Sequence, residues 1–251
     1  MTVTCIIPAF NEGPRIATVA GIAARHPALA EVIVVDDGSA DDTAIQAAAV
    51  PGVRVIRQAK NGGKTAALAR GLACARGDFV LLLDADLIGL RAEDISALIA
   101  PALSGQAAVT ISLRGNAPAL WKRIGLDYIS GERVVPRALL LPYLDALPGL
   151  PPFGFEVFLN HLLTDGRLPL AVVPWPGVSS PLKRRKYGFW RGLRGDVGML
   201  ADMFHVHGPI TLMRQISAMR ALRVTLPDAA GTSYKLLARP RPSTAPQTPH
   251  H

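Results

Sequence analysis

Two carboxylates one residue apart, Asp84 and Asp86 in the stretch FVLLLDADLIGL, close an apolar run that reads as a buried strand. Strand side chains alternate with period two, so both acids are expected on one side of the chain. Two hard oxygen donors facing the same way suit Mg2+ or Mn2+, ions that keep water and bind substrate phosphates rather than filling a protein cage. A D-x-D pair alone is also an ordinary solvated turn. A second anion-directed feature is NGGKTAALARG, residues 61–71, which puts Lys64 at a helix start, where free backbone amides attract negative charge. It is not a Walker loop, because Gln58 stands where that loop needs glycine. No G-x-G-x-x-G follows the first strand, so dinucleotide binding has no support.

The positioning elements follow from hydrophobic periodicity. VTCIIPAF, EVIVVDD, VRVIRQ, DFVLLLDAD and AAVTISLRG read as strands, and Asp41–Ala49, Gly63–Arg76 and Ala92–Leu103 as helices between them. Ser39 or Asp41 can cap the first of these three. Ile16, Val19, Ala20 and Ala23 mark an earlier helix. Such alternation predicts an α/β fold with a mostly parallel sheet and helices on both faces, its ligands beyond the carboxyl ends of the strands. PAFNE, DDGS and DADL all fall at such ends. One crevice should collect them.

Beyond residue 115 the pattern loosens. Residues 136–152 hold five of the 21 prolines and read as loop and broken helix. Phe153–Leu163 should be a helix facing the crevice, Leu170–Val173 a strand, and Asp196–Arg223 two amphipathic helices broken near Gly208. The closing PRPSTAPQTPHH is low-complexity and expected to be disordered. His205 and His207 point apart in their helix and read as structural, and Asp127 and Asp145 as structural or solvated.

The chain of 251 residues is 49% hydrophobic and 18% charged, enough for a full core. No uncharged apolar run reaches the roughly 18 residues of a membrane span, and the N-terminus lacks signal-peptide features, so a cytoplasmic protein is expected. Cys5 and Cys74 are expected as small buried hydrophobes. The net charge of +8 is uneven: residues 1–120 carry 10 basic and 11 acidic side chains, residues 121–251 carry 17 and 8. The run Lys183, Arg184, Arg185 and Lys186, with Trp190, Arg191 and Arg194, has a composition that suits nucleic acid or lipid headgroups. Its place beside amphipathic helices favours an anionic membrane surface, with no nucleic acid as partner.

In this order, IIPAFNE, VIVVDDGSADDT, NGGKTAALARG and LLLDADL resemble the inverting family-two glycosyltransferases of GT-A fold, over residues 1–115. The resemblance implies a Rossmann-like sheet and a nucleotide diphosphate sugar donor. Pro8, Ala9, Phe10, Asn11, Glu12 and Asp36 would hold base and ribose, with Lys64 near base or phosphates. Asp84, Ala85 and Asp86 would meet the diphosphate, Asp86 most directly through Mg2+ or Mn2+. The second half is similar to the polyprenyl-phosphate transferases of that family, through Arg114 in ISLRG, SGERVVPRAL (130–139) in the acceptor region and Lys186 in the basic loop. Arg114 and Lys186 would neutralise the leaving diphosphate. Departures from the pattern are Ile88, where a metal-binding glutamine is common, and Ser179–Ser180, where a histidine is common. Glu156 in FGFEVFL would deprotonate a sugar hydroxyl, whereas a phosphate acceptor needs no strong base and leaves Glu156 to orient Arg133 or another cation. Absence of Q-x-x-R-W implies single transfer.

The expected organisation is a catalytic domain over 1–180, with a nucleotide-sugar half (1–115) and an acceptor half (116–180). Membrane-associated basic and helical elements follow over 181–228, then a disordered tail over 229–251. The expected activity is hexose transfer to a polyprenyl phosphate, peripherally at the cytosolic membrane face. A soluble or saccharide hydroxyl acceptor and a catalytically silent nucleotide-sugar-binding or membrane-surface protein are the alternatives.

Overall fold

A computed structural model describes residues 1–151, 154–181 and 208–226. The strands are β1 (Val3–Ala9), β2 (Leu29–Asp36), β3 (Val53–Arg57), β4 (Phe79–Leu82), β5 (Val109–Arg114), β6 (Arg133–Pro136) and β7 (Leu170–Trp175). The helices are α1 (Gly13–Ala24), α2 (Thr43–Ala48), α3 (Lys64–Cys74), α4 (Ala92–Leu103), α5 (Ala119–Ile124), α6 (Arg137–Leu140), α7 (Gly154–Asp165) and α8 (Pro209–Ala221). The sheet order is β3-β2-β1-β4-β6-β5-β7. Only β6 among these strands runs antiparallel to its neighbours. The basic run with Lys186, both histidines, the first of the two expected C-terminal helices and the low-complexity tail lie outside the described residues.

Side-chain alternation builds two apolar layers from single strands. Cys5, Ile7, Val32, Val34 and Val134 face Ile16, Val19, Ile95 and Leu98 of α1 and α4. Ile6, Ile33, Val35 and Val135 face Leu68 and Leu72 of α3 and Leu159 of α7. Gly71 lets α3 approach the sheet: a Cβ there would stand 2.5 Å from Ile6 Cγ2 and 3.2 Å from Val35 Cγ2. Cys5 is buried and Cys74 half-buried, and neither forms a disulfide.

The expected elements of the first half appear with helix ends moved by one or two residues. β6 was not anticipated: SGERVVPRAL forms a strand inside the sheet, between β4 and β5. On α8, Leu212 and Met219 are buried in the same core as Leu159 of α7, while Ile210 and Met213 stay exposed. The Leu170 amide donates to the Leu222 carbonyl at 2.9 Å and the Val224 amide donates to the Leu170 carbonyl at 2.9 Å, tying the segment that closes α8 to β7. α8 is thus a core element. Leu212→Ala is expected to destabilise the protein by roughly 2–5 kcal/mol, the cost of a buried leucine truncation; an unchanged urea midpoint would show that α8 contributes no core packing.

Candidate functional site

A cleft of about 540 Å3 opens beyond the carboxyl ends of β1 and β4, lined by Pro8, Ala9, Phe10, Glu12, Asp37, Asn61, Gly63, Lys64, Ala67, Asp84, Ala85 and Asp86. Its first wall is the PAFNE turn. Asn11 has φ 54°, a left-handed conformation that asparagine tolerates better than most residues. Its Oδ1 accepts the Ala40 amide at 2.9 Å, and its own amide donates to Ser39 Oγ at 2.9 Å. The Glu12 amide donates to Thr43 Oγ1 at 2.8 Å, so the DDGSADDT loop clamps PAFNE from behind. Asp41 accepts the Thr43 amide at 3.0 Å as expected of a cap, although Asp42 holds the N-cap position.

Of the two acids ending β2, Asp37 lines the cleft and Asp36 does not. Asp36 is fully buried, accepting the Ser39 amide at 3.1 Å and pairing with Arg57 at 3.2 Å. Its carboxylate shapes the loop beneath the cleft, whereas the expectation from the sequence was that it would help hold base and ribose. Asp37 accepts the amides of Gly62 and Gly63 at 2.9 and 2.8 Å, so one carboxylate presets the turn that starts α3.

That turn delivers Lys64. Its Nζ lies 2.8 Å from Asp84 Oδ1 and 3.0 Å from Oε1 of Glu156, which is almost fully buried on α7. β4 ends at Leu82, so Asp84 and Asp86 occupy the turn beyond it rather than the strand, a correction to the period-two reading. Exposure still alternates: Asp84 and Asp86 are half-buried and Ala85 between them is buried. Gly131 presses against this pair, since a Cβ there would stand 2.8 Å from both Asp84 Oδ1 and Lys64 Nζ. Burial works against the Lys64 ammonium, yet the Asp84 and Glu156 carboxylates raise its pKa overall. Burial pushes Asp84 up, but Lys64 and then Arg114 bring it below its ordinary value.

Behind Asp84 lies a buried polar network that the sequence reading did not identify. Arg114 pairs with Asp127 and Glu132, each at 3.5 Å, and donates to Ser180 Oγ. Ser112 and Ser130 donate to Glu132 Oε2 at 2.8 and 2.9 Å. Glu132 also lies near enough to Asp84 for the two carboxyl groups to influence each other's ionisation. Arg133 is fully buried and donates to the Ser130 and Tyr128 carbonyls and to Asn160 Oδ1. Burial raises the pKa of both Asp127 and Glu132, and the nearby Asp84 charge adds to the shift at Glu132. Asp127 is therefore structural and not solvated. Two sequence departures meet here too: Ile88 and Ser179 exchange backbone bonds of 2.8 and 3.0 Å.

The residues fit a hard divalent cation by donor chemistry. Asp84 and Asp86 contribute carboxylate oxygens to the lining of an open cleft, and among the described residues no thiol or imidazole lines it. Among the described residues no group of three or more His, Cys, Asp or Glu side chains could hold a metal by itself. A pair of carboxylates is what Mg2+ or Mn2+ requires when water and phosphate oxygens complete its shell.

A cleft at the carboxyl ends of a largely parallel sheet, with paired acids and a helix-start lysine, defines an α/β protein with an anion-directed site. The family model described as "Glycosyl transferase family 2" matches residues 4–145, and the chain belongs to that family. A dodecaprenyl-phosphate galacturonate synthase from Rhizobium johnstonii is 34% identical over 96 residues, covering 35% of this chain and 28% of the relative. A dolichyl-phosphate β-glucosyltransferase from Trichomonas vaginalis is 41% identical over 96 residues, 33% of this chain and 28% of the relative. The chain thus spans less than a third of the length of these two curated relatives. The structure of glucosyl-3-phosphoglycerate synthase from Mycobacterium tuberculosis, in complex with Mn2+, UDP-glucose and phosphoglyceric acid, superposes with a TM-score of 0.62. It is 26% identical and covers 91% of this chain and 81% of its own. The fold is GT-A.

Glu132 gives the site a testable pH signature. Its folded pKa lies above the ordinary 4.5, so the folded state holds a proton that the unfolded chain releases as pH rises from about that value. Stability from this group therefore falls with rising pH until the folded pKa is passed. Glu132→Gln should gain melting temperature relative to wild type at pH 8, the gain shrinking toward pH 4.5. A difference independent of pH would contradict the assignment.

Proposed function

We propose that this chain transfers one hexose per encounter from a nucleotide diphosphate sugar to a polyprenyl phosphate at the cytosolic face of a membrane. The observation carrying this reading is the convergence of Asp84, Asp86 and Lys64 with the PAFNE turn in one cleft. Pro8, Ala9, Phe10, Glu12 and Asp37 would contact base and ribose. Asp84 and Asp86 would hold Mg2+ or Mn2+, which supplies positive charge to the departing diphosphate. The acceptor oxygen attacks the anomeric carbon opposite that leaving group, with inversion. Arg114 acts on this chemistry from behind Asp84, through its own carboxylate partners, and Lys186 remains a proposed diphosphate contact.

The two curated relatives named for polyprenyl phosphates support the lipid acceptor. A phosphate monoester is ionised at neutral pH and needs no strong base, which agrees with Glu156 being engaged by Lys64. Residues 116–126 and 208–226 support the membrane face: they contain Lys122, Arg123, Arg214, Arg220 and Arg223 and no acid. Leu120, Ile210 and Met213 stand exposed among these cations, a composition suited to anionic headgroups. No helix of the described residues is long and apolar enough to cross a membrane. A second reading, transfer to the hydroxyl of a small phosphorylated acid with Glu156 as base, is favoured by the likeness to the phosphoglycerate-bound synthase.

Purified protein with Mn2+ and a panel of nucleotide sugars, UDP-glucose first, should release nucleoside diphosphate only when polyprenyl phosphate is added. Asp86→Ala should lower that release at least roughly 100-fold at an unchanged melting temperature. Release that instead requires phosphoglycerate and collapses in Glu156→Gln would select the second reading, and silence with every donor would contradict both.

A further inference from the structure

Lys64 stands on the carboxylate that the metal would share. Its ammonium touches Asp84 Oδ1 at 2.8 Å, an oxygen that Mg2+ or Mn2+ would also use. The ammonium is held in place from several directions. Asp37 fixes the turn before it, Gly131 closes one side and Glu156 grips it at 3.0 Å. Glu156 is only 5% exposed, so losing the ammonium would strand a buried carboxylate. A divalent ion arriving alone must therefore either displace Lys64 from Asp84 or sit beside a like charge. A nucleoside diphosphate changes that balance, because its oxygens can accept both cations at once.

We propose that Lys64 is a built-in competitor for the divalent cation at Asp84, making metal and nucleoside diphosphate bind cooperatively. With the diphosphate present, Lys64 releases Asp84, keeps Glu156 and turns its remaining donors to the phosphate oxygens. The cleft then rejects free metal and accepts the metal–nucleotide pair. This inference rests on Asp84 being a metal ligand, as the proposed function has it.

The test is an electron paramagnetic resonance titration of free Mn2+, with and without uridine diphosphate. It compares wild type, Lys64→Met, Lys64→Met/Glu156→Gln and Lys64→Met/Asp84→Asn. The Glu156→Gln double variant keeps the test valid if the stranded carboxylate unfolds Lys64→Met. Without nucleotide, the variants lacking Lys64 should bind Mn2+ roughly tenfold or more tightly than wild type, the scale of one charge-assisted hydrogen bond removed. Asp84→Asn should erase that gain. The enhancement of Mn2+ affinity by uridine diphosphate should shrink by a similar factor when Lys64 is absent.

Equal free-Mn2+ affinity in wild type and in the folded variants lacking Lys64, with the wild type still binding Mn2+ with nucleotide, would overturn the competition and leave the functional reading standing. Absence of Mn2+ binding in every protein, nucleotide included, would overturn both.

Discussion

The organisation of the cleft depends on one ammonium shared by two carboxylates. Lys64 begins α3, Asp84 follows β4 and Glu156 sits in α7, three segments far apart in sequence that meet at a single nitrogen. Since Lys64 keeps 40% of its side chain exposed, solvent screens the pairs and their net contribution to stability is small. Their weight is positional: they orient an acid that belongs to the first four motifs against a helix from the second half of the chain. Gly131 makes the geometry possible, because any side chain there would occupy the space that Asp84 and Lys64 use.

The buried network behind Asp84 supplies the rigidity that this arrangement needs. Two carboxylates, Asp127 and Glu132, flank Arg114, and serine hydroxyls complete the shell of Glu132. A guanidinium so engaged is a fixed charge in a wall, unlike a mobile clamp that reaches for substrate. It nevertheless lowers the pKa of Asp84, so its field reaches the cleft. Burial of several charges is costly unless every partner is in place. This places demands on β6, whose first residue Arg133 satisfies the carbonyls of Ser130 and Tyr128.

Much of this was legible in the sequence because it depends on local rules. Alternating apolar runs located five strands and the helices between them, and the acids at the end of β2 and in the turn after β4 marked the crevice. Which acid faces it was not legible: Asp36 and Asp37 are adjacent and chemically identical, and only the turn decides that Asp37 caps the glycine amides while Asp36 goes under. β6 was missed because RVVP is four residues long, begins with a charge and ends with proline, so its signal is weaker than the tertiary context that pairs it on both sides. The burial of Glu132 and Arg133 was not legible for a related reason. A buried charge is recognised by its partners, and Ser112, Ser130 and Asn160 carry no sequence signal linking them to it. The C-terminal amphipathic pattern was correct for α8, but periodicity could not tell a core-facing stripe from a lipid-facing one.

In the proposed reaction Asp84 and Asp86 would receive the donor's diphosphate through a divalent cation. Calorimetric titration of a nucleoside diphosphate into wild type and Asp86→Asn, each with Mn2+ and with chelator, is the decisive measurement. Binding should require both Mn2+ and Asp86, in proteins with matching melting temperatures. Equal affinity with chelator, or in Asp86→Asn, would contradict it.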